Sequence, residues 1–437
     1  MMKKLSAIFM AALMVVLSVS IVGAATADTE DVGSNGWKLA TPSGIKAVNE
    51  GPVGRKITWN PVKGVCYYRV YYKNSKGNWV GMGNTTQTVF YDTHPTQSGD
   101  TYTVRCIDED WNFESYYDTK GYTITEKTKD SDHWVVGKHI KVAGAEAGYR
   151  GNASAKAGFY SNRAGSNKIC DIPNGTKLTV LAVEYNGGKT DCFNTRFKTQ
   201  YNGKTGYVKM NYAMVSVNEF LPSANVALSF ASNRSYTWHK ANKGIDGGLY
   251  NMFNYKGSAN YIKGIADQKF YTENTAWLRY DVLKQLTNCQ IDFIREGKYI
   301  KIYDAFRPHW VTGKIDPAWD RYIKDNGLRE KSAGGYPLTN QIASAQYVSK
   351  HNTGCAVDIS LVDIDGVELY MPTLMHDLSW NAEYAKWKNG TSAGAKNAQY
   401  LRKNMTSRGF STYFGEWWHF EYNKMGENAK VVYDCGV

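Results

Sequence analysis

The spacing of apolar and polar positions changes character along the 437 residues. Lys3-Lys4 precedes one apolar run, Leu5 to Val22, which Ala25-Thr26-Ala27 follows. From about Gly36 to Lys127 the runs are short and alternate: RKITWNPV, CYYRVYYKN, TQTVFYDT and TYTVRCIDED, separated by Gly, Asn, Pro and Asp. A period of two with such punctuation predicts β-strands. Trp59, then Tyr68, Val70 and Tyr72, then Tyr102, Val104 and Cys106 put large residues on one face of each strand. A polar stretch, Glu126 to Asp132, reads as a linker. From Trp134 to Val217 short strands return, and IPNGTKLTVLAVEYNG and YNGKTGYVKMNYAMV carry Asn-Gly turns between alternating residues. Beyond Val217 the pattern mixes. Ala276 to Arg295 has helical spacing and stops before Gly297, whereas KYIKIYDAFRP and CAVDISLV read as strands. This predicts a multidomain chain: two all-β modules at 36–127 and 134–217, then an α+β domain over 218–437.

The basic, apolar and small-x-small order at the N-terminus is that of a secretory signal peptide, 1–27, cleaved before Asp28. An uncleaved single anchor is the alternative; either places the rest outside the cytoplasm, with no membrane partner once cleaved. Charged residues at 21% and aromatics at 14% exclude a largely disordered chain. The formal net charge of +12 suits a polyanionic neighbour such as an anionic wall polymer. No run of five or more Lys/Arg occurs, so no nucleic-acid partner is expected. Seven cysteines, none in CxxC spacing, argue against a zinc ribbon or a thioredoxin-like motif.

Two of the eight histidines sit among acidic neighbours in dense contexts, SKHNTGCAVD and EWWHFEY. A hydrolytic zinc needs three protein ligands and an open position for water. His351, Asp358 and His419 supply two imidazoles and one carboxylate. Glu416, three residues before His419, suits the separate carboxylate that moves the proton. Arg307, closing a strand in YDAFRP, suits an oxyanion stabiliser. Spacing alone leaves open a core histidine at 419 and a turn carboxylate at 358. HExxH is absent, which excludes the thermolysin-like layout.

Three segments together carry a resemblance. SKHNTGCAVD resembles the Ser-x-His-x-x-Gly-x-Ala-x-Asp motif of D-alanyl-D-alanine dipeptidases and carboxypeptidases. EWWHFEY resembles their Glu-x-Trp-His segment, and YDAFRP their Asp-x-Tyr-Arg-Pro segment. The match spans roughly Val226 to Asn423 and is similar above all to the VanX-like dipeptidase branch. It implies an α+β zinc peptidase with an antiparallel sheet, and one Zn2+ held by His351, Asp358 and His419. Glu416 is then the general acid/base and Arg307 the transition-state stabiliser. Ser349 lies near the substrate carboxylate, and Asp377, closing MPTLMHD, holds a free substrate amine. The chain departs from the family at Pro372 (Gly there), His376 (Phe) and Phe230 (a Tyr near the substrate amine). These departures leave the metal set intact and bear on whether the substrate is a free dipeptide.

Residues 36–127 resemble a fibronectin type III β-sandwich, a fold usually serving as spacer or binding module. Its third and sixth strands are antiparallel neighbours, which implies either a Cys66–Cys106 bridge or two buried free thiols. Residues 134–217 resemble a bacterial SH3-like β-barrel through Pro173-Asn174-Gly175-Thr176 and Gly203-Lys204-Thr205-Gly206-Tyr207-Val208. Such barrels often bind peptidoglycan; a spacer is the alternative. The expectation is therefore a secreted, wall-associated zinc peptidase acting on D-Ala-D-Ala or on peptidoglycan stem peptides. A wall-binding protein with a decayed peptidase domain is the non-enzymatic alternative.

Overall fold

The structure is a computed structural model describing residues 36–50, 53–93, 100–125, 135–146, 154–186, 194–226, 275–309, 312, 349–373, 375, 380–425 and 430–434. The expected signal peptide, the Glu126–Asp132 linker, Phe230, His376 and Asp377 lie outside the described residues. The chain divides into two compact units: Met1–Asn49 with Gly54–Thr128, and Glu50–Val53 with Lys129–Val437.

The first unit has strands β1 (Lys46–Asn49), β2 (Arg55–Thr58), β3 (Tyr67–Lys73), β4 (Trp79–Thr85), β5 (Val89–Asp92), β6 (Thr101–Ile107) and β7 (Tyr122–Thr123). They form a three-stranded sheet, β1-β2-β5, and a four-stranded sheet, β4-β3-β6-β7, both antiparallel. Strand alternation turns Tyr68, Val70, Tyr102, Val104 and Cys106 toward Ile45, Ala47, Ile57 and Trp59, and these residues make the core. Buried Arg55 pairs with Asp100 and donates to the Tyr102 hydroxyl, which donates to Asp92, so this interior cation is compensated. No Cys66–Cys106 bridge forms: both thiols are free, Cys106 buried and Cys66 exposed. The β3–β6 register sets Cys106 opposite Tyr68. Cys66 thus sits on the diagonal, roughly 7–8 Å away, beyond disulfide reach.

In the second unit, β8 (His139–Val142), β9 (Gly144–Ala145), β10 (Ala157–Tyr160), β11 (Lys168–Ile172), β12 (Lys177–Thr179), β13 (Ala182–Tyr185), β14 (Thr195–Tyr201), β15 (Lys204–Lys209) and β16 (Ala213–Ser216) come first. Five of them build the antiparallel sheet β11-β10-β15-β14-β13. The tight β14–β15 hairpin turns on Asn202 (φ 48°) and Gly203 (φ 73°). Two successive positive φ angles are what an Asn-Gly pair supplies most readily in a two-residue loop. Phe159, Phe197, Val208, Ile140, Val142 and Val215 are buried.

The C-terminal region adds β17 (Asn225–Val226), β18 (Trp277–Leu278), helix α1 (Tyr280–Ile294), β19 (Lys298–Asp304), β20 (Ala356–Asp363), helix α2 (Ala393–Ser407), β21 (Ser411–Thr412), β22 (His419–Glu421) and β23 (Tyr433–Asp434). Its sheet runs β17-β19-β20-β22-β21; β17 pairs parallel to β19 and the other neighbours are antiparallel. α1 buries Val282, Leu283, Leu286, Cys289 and Phe293, and Phe293 meets Tyr400 of α2 at 5.7 Å between ring centroids. Arg408, just past α2, grips Asp292 of α1 through two hydrogen bonds of 2.6 and 2.7 Å.

The helix expected from Ala276 starts later, at Tyr280. Trp277 and Leu278 are instead extended and pair with Ser216 and Val215, completing the sheet β12-β8-β16-β18. An edge strand offers unpaired backbone groups that an adjacent segment can satisfy, and here that outweighs helical periodicity. The boundary expected near Val217 is therefore crossed by strand pairing, and crossed again where β23 pairs with β9. Asn174 reinforces the second crossing, accepting from Gly144 N and donating to Asp434 at 3.0 Å.

Glu146 follows β9, and its backbone donates to Val432 O. Burial, with Asp434 adding repulsion, pushes its carboxyl up to about 7. A folded-state value above the unfolded one means that stability falls as pH rises from the ordinary carboxylate range to about 7, and stays low above it. Glu146→Gln should accordingly melt higher than the parent at pH 8, with the gap closing as pH falls toward 5. A thermal melt series across pH checks this; a constant gap would contradict it.

Candidate metal centre and active site

Three strands bring the site together. The β20–β22 register pairs Asp358 directly with His419, and the β19–β20 register pairs Asp304 with Asp358. Directly opposed residues on neighbouring antiparallel strands hold their Cβ atoms about 4.5–5.5 Å apart, so one acid-acid-His row, Asp304, Asp358 and His419, crosses the sheet. His351 enters from a single 3-10 turn, Lys350–Thr353, just before β20. Ser349 caps that turn: its hydroxyl accepts from His351 N, and Asn352 returns a side-chain bond to Ser349 N. Gly354 (φ 67°) ends the turn in the left-handed region and hands the chain to β20.

The ligand atoms converge. His419 Nδ1 lies 3.0 Å from Asp358 Oδ1, His351 Nε2 lies 3.4 Å from the same oxygen, and the two ring nitrogens are 3.3 Å apart. His351 and Asp358 are only 2% and 3% exposed. The far side of each imidazole is occupied. His351 Nδ1 meets Ala305 O at 2.7 Å, and His419 Nε2 meets Glu421 Oε1 at 3.2 Å. A ring N–H donated outward leaves the inward nitrogen with its lone pair, the arrangement that metal-ligating histidines adopt. Two imidazoles, one carboxylate, mutual reach and fixed tautomers fit a tetrahedral Zn2+ with one position open.

Burial lowers the proton affinity of His419, yet its pKa stands well above the ordinary imidazole value, because hydrogen bonds to Asp358 and Glu421 and the charges of Asp358 and Glu416 outweigh it. The position attracts positive charge. Glu421 shows the reverse balance: burial pushes its carboxyl up, and the His419 bond and charge bring it down to about 2.

Glu416 lies 3.8 Å from His419 Nδ1 and is buried. Burial pushes its carboxyl up to about 8, Asp358 adds to this, and His419, Arg307 and the Trp418 indole oppose it. A carboxylate so placed exchanges its proton near neutrality. The adjacent Trp417 and Trp418 rings are buried and packed edge to face, and the Trp417 indole donates to Thr373 at 2.9 Å, which anchors this loop. Arg307 is 2% exposed and is clamped by Asp304, Nε to Oδ2 at 2.9 Å with Nη2 on the same oxygen. Asp304 also accepts from Ala305 N, and Asn352 bonds Arg307 O and Thr312.

Of the residues singled out from sequence, His351, Asp358, His419, Glu416 and Arg307 share this cluster. Ser349 sits half-buried at the cap of the His351 turn. Cys355 is buried, with Sγ 3.6 Å from Met425 Sδ, and burial raises its thiol. Asp304 and Glu421, which orient Arg307 and His419, carried no role in the sequence reading. Their signals were an acid three residues before the Arg and one two residues after the His, on the same strand face.

A buried His-Asp-His triad with an adjacent carboxylate and a clamped guanidinium defines a hydrolase-type centre. The family profile described as D-ala-D-ala dipeptidase matches residues 252–434. A D-alanyl-D-alanine dipeptidase of Enterococcus faecalis is 29% identical over 141 residues, 31% of this chain and 68% of that protein. Its namesake from Enterococcus faecium is 26% identical over 145 residues, 32% of this chain and 70% of that protein. The C-terminal region thus carries a peptidase domain similar to these dipeptidases.

Replacing His351 by Ala should abolish stoichiometric zinc binding by the full chain. Glu421→Gln should keep zinc but bind it about 10–100-fold more weakly, the usual effect of removing an outer-shell partner. Competition with a chromophoric chelator measures both; an unchanged affinity in His351→Ala would exclude that residue as a ligand.

Proposed function

We propose that the chain is an exported zinc D,D-peptidase that hydrolyses D-alanyl-D-alanine in wall metabolism. The observation carrying this reading is the convergence of His351, Asp358 and His419 beside Glu416 and the Asp304-clamped Arg307. Zinc bound there would supply a Lewis acid that acidifies water and polarises the scissile carbonyl. Glu416 takes the proton of the attacking water and returns it to the departing amine, so that no net proton is consumed at the carboxyl. Arg307, preorganised by Asp304, faces the developing oxyanion with its charge already oriented. Ser349 and Asp377 would address the substrate's carboxylate and amine.

The names of the enterococcal relatives support D-Ala-D-Ala as the substrate class. The Lys3-Lys4, Leu5–Val22, Ala25-Thr26-Ala27 order supports export. Among the described residues, no helix is long and apolar enough to cross a membrane. The antiparallel orders β1-β2-β5 and β4-β3-β6-β7 support a fibronectin type III-like spacer. The two small antiparallel sheets, with their Asn202-Gly203 hairpin, support an SH3-like module directed to peptidoglycan. Such a module suits stem-peptide trimming, and Phe230 in place of a Tyr favours it, which makes D,D-carboxypeptidase action the second reading.

D-alanine release by the zinc-loaded chain, from free D-Ala-D-Ala and from an N-blocked peptide ending in D-Ala-D-Ala, tests both readings. Turnover of the free dipeptide alone establishes a dipeptidase; turnover of the blocked peptide establishes a carboxypeptidase. Glu416→Gln should lower turnover by about 10²–10⁴-fold, the usual range for general acid–base catalysis, with zinc still bound. Wild-type turnover by that variant would overturn the mechanism.

A further inference from the structure

The β-module over 135–216 meets the peptidase region at the segment from Trp277 to Arg279, and the backbone of both these residues bonds to loops that bear site residues. Trp277 is paired with Ser216 of the β-module and offers its carbonyl to Phe306 N at 2.8 Å. Phe306 stands between Ala305, whose carbonyl fixes His351, and Arg307, whose N–H donates to His351 O at 3.1 Å. Arg279 then donates its N–H to Gly354 O at 3.2 Å, at the end of the His351 turn.

The Arg279 side chain is fully buried and reaches the other way. Its Nη1 donates to Asn211 O of the β-module at 2.6 Å, and its guanidinium lies 4.6 Å from the ring centre of Tyr433, on the strand that pairs with β9. Met214 of the same module closes the arrangement against Gly354. A Cβ at Gly354 would stand 2.8 Å from Met214 Sδ and 3.1 Å from Arg279 Cγ. The turn bearing His351 is thus held at its start by its own Ser349–Asn352 cap and at its end by Arg279 and a methionine of the β-module.

We propose that the β-module is a working part of the peptidase site, with Arg279 and Met214 acting as positioning residues that set the His351 turn for metal binding. The inference rests on the metal reading of His351, Asp358 and His419. It makes this β-module a support of the turn that bears His351. A ligand-bearing turn that loses one of its two supports samples more orientations, and a metal site tolerates little misplacement.

The test uses the full chain, with zinc affinity from chelator competition and kcat and KM from D-alanine release, alongside circular dichroism. Arg279→Lys keeps the charge and loses the fork. It should weaken zinc by about 10-fold or more, the range of outer-shell changes, and lower kcat with KM little changed. A second arm uses Met214→Ala, which removes the side chain packed against the end of the turn. It should likewise weaken zinc and lower kcat with KM little changed. A folded Arg279→Lys with parental zinc affinity would overturn the proposal. Should that variant not fold, a folded Met214→Ala with parental zinc affinity would overturn it. A parent chain that binds no zinc would remove the metal reading and this inference together. Zinc bound by the parent and unchanged in the variants would remove only the positioning role.

Discussion

The antiparallel register of β20 and β22, which sets Asp358 opposite His419, is the constraint on which the site depends. A slip of one residue would turn either side chain to the other face of the sheet, and no ligand set would remain. That register is held by a strand buried along nearly its whole length and by the packed Trp417–Trp418 pair before β22. Hydrophobic burial therefore does the aligning, and the polar groups of the site are carried into place by it. Each arrives with a partner: Asp358 with His419, Asp304 with Arg307, Glu421 with Asn423 and His419. Buried charges without such partners would be expelled or neutralised.

A second dependence runs through the backbone. β18 is two residues long, yet it belongs to the sheet β12-β8-β16-β18 and also delivers Arg279 and α1 to the peptidase region. Short strands are weak alone. This one is held by β16 on its edge and by the loops bearing Phe306 and Gly354 beyond it. The sheets formed by β8–β16 and the peptidase region accordingly belong to one compact unit, although their sequence patterns differ as sharply as those of two modules.

The parts legible in the sequence were those encoded locally. Alternation in Tyr68-x-Val70 and Tyr102-x-Val104 marked strand faces, and Asn202-Gly203 marked a hairpin. Residues in three short motifs marked His351, Asp358, His419, Glu416 and Arg307, which the fold gathers across separations of up to 112 positions in the chain, from Arg307 to His419. What stayed hidden was tertiary. Helical spacing from Ala276 gave no warning that the free edge of β16 would draw Trp277 and Leu278 into a strand. The expected pairing of the third and sixth strands brought Cys66 and Cys106 near each other but could not supply the register that separates them. Asp304, Glu421 and Arg279 matter through their partners, and a single sequence does not display partners.

The charge of the site supports the metal reading independently of any motif. Four buried or half-buried carboxylates, Asp304, Asp358, Glu416 and Glu421, crowd around the two imidazoles. Arg307 neutralises Asp304, and Glu421 is bound to the outer face of His419. Asp358 and Glu416 face the inward nitrogens, both buried, and the nearby Arg307 charge only partly offsets the burial of Glu416. The strain of that arrangement is visible in two opposite shifts: Glu416 is pushed up toward holding a proton, and His419 is raised toward holding its own. Both say that the cluster is short of positive charge at the point where His351 Nε2, His419 Nδ1 and Asp358 Oδ1 converge. A dication at that point relieves both, since one positive centre favours the ionised form of Glu416 and takes the proton's place on His419. The same charge balance fits the proposed roles: Asp358, within reach of both nitrogens, as a metal ligand, and Glu416, offset to the side of His419, as the carboxylate that would move protons.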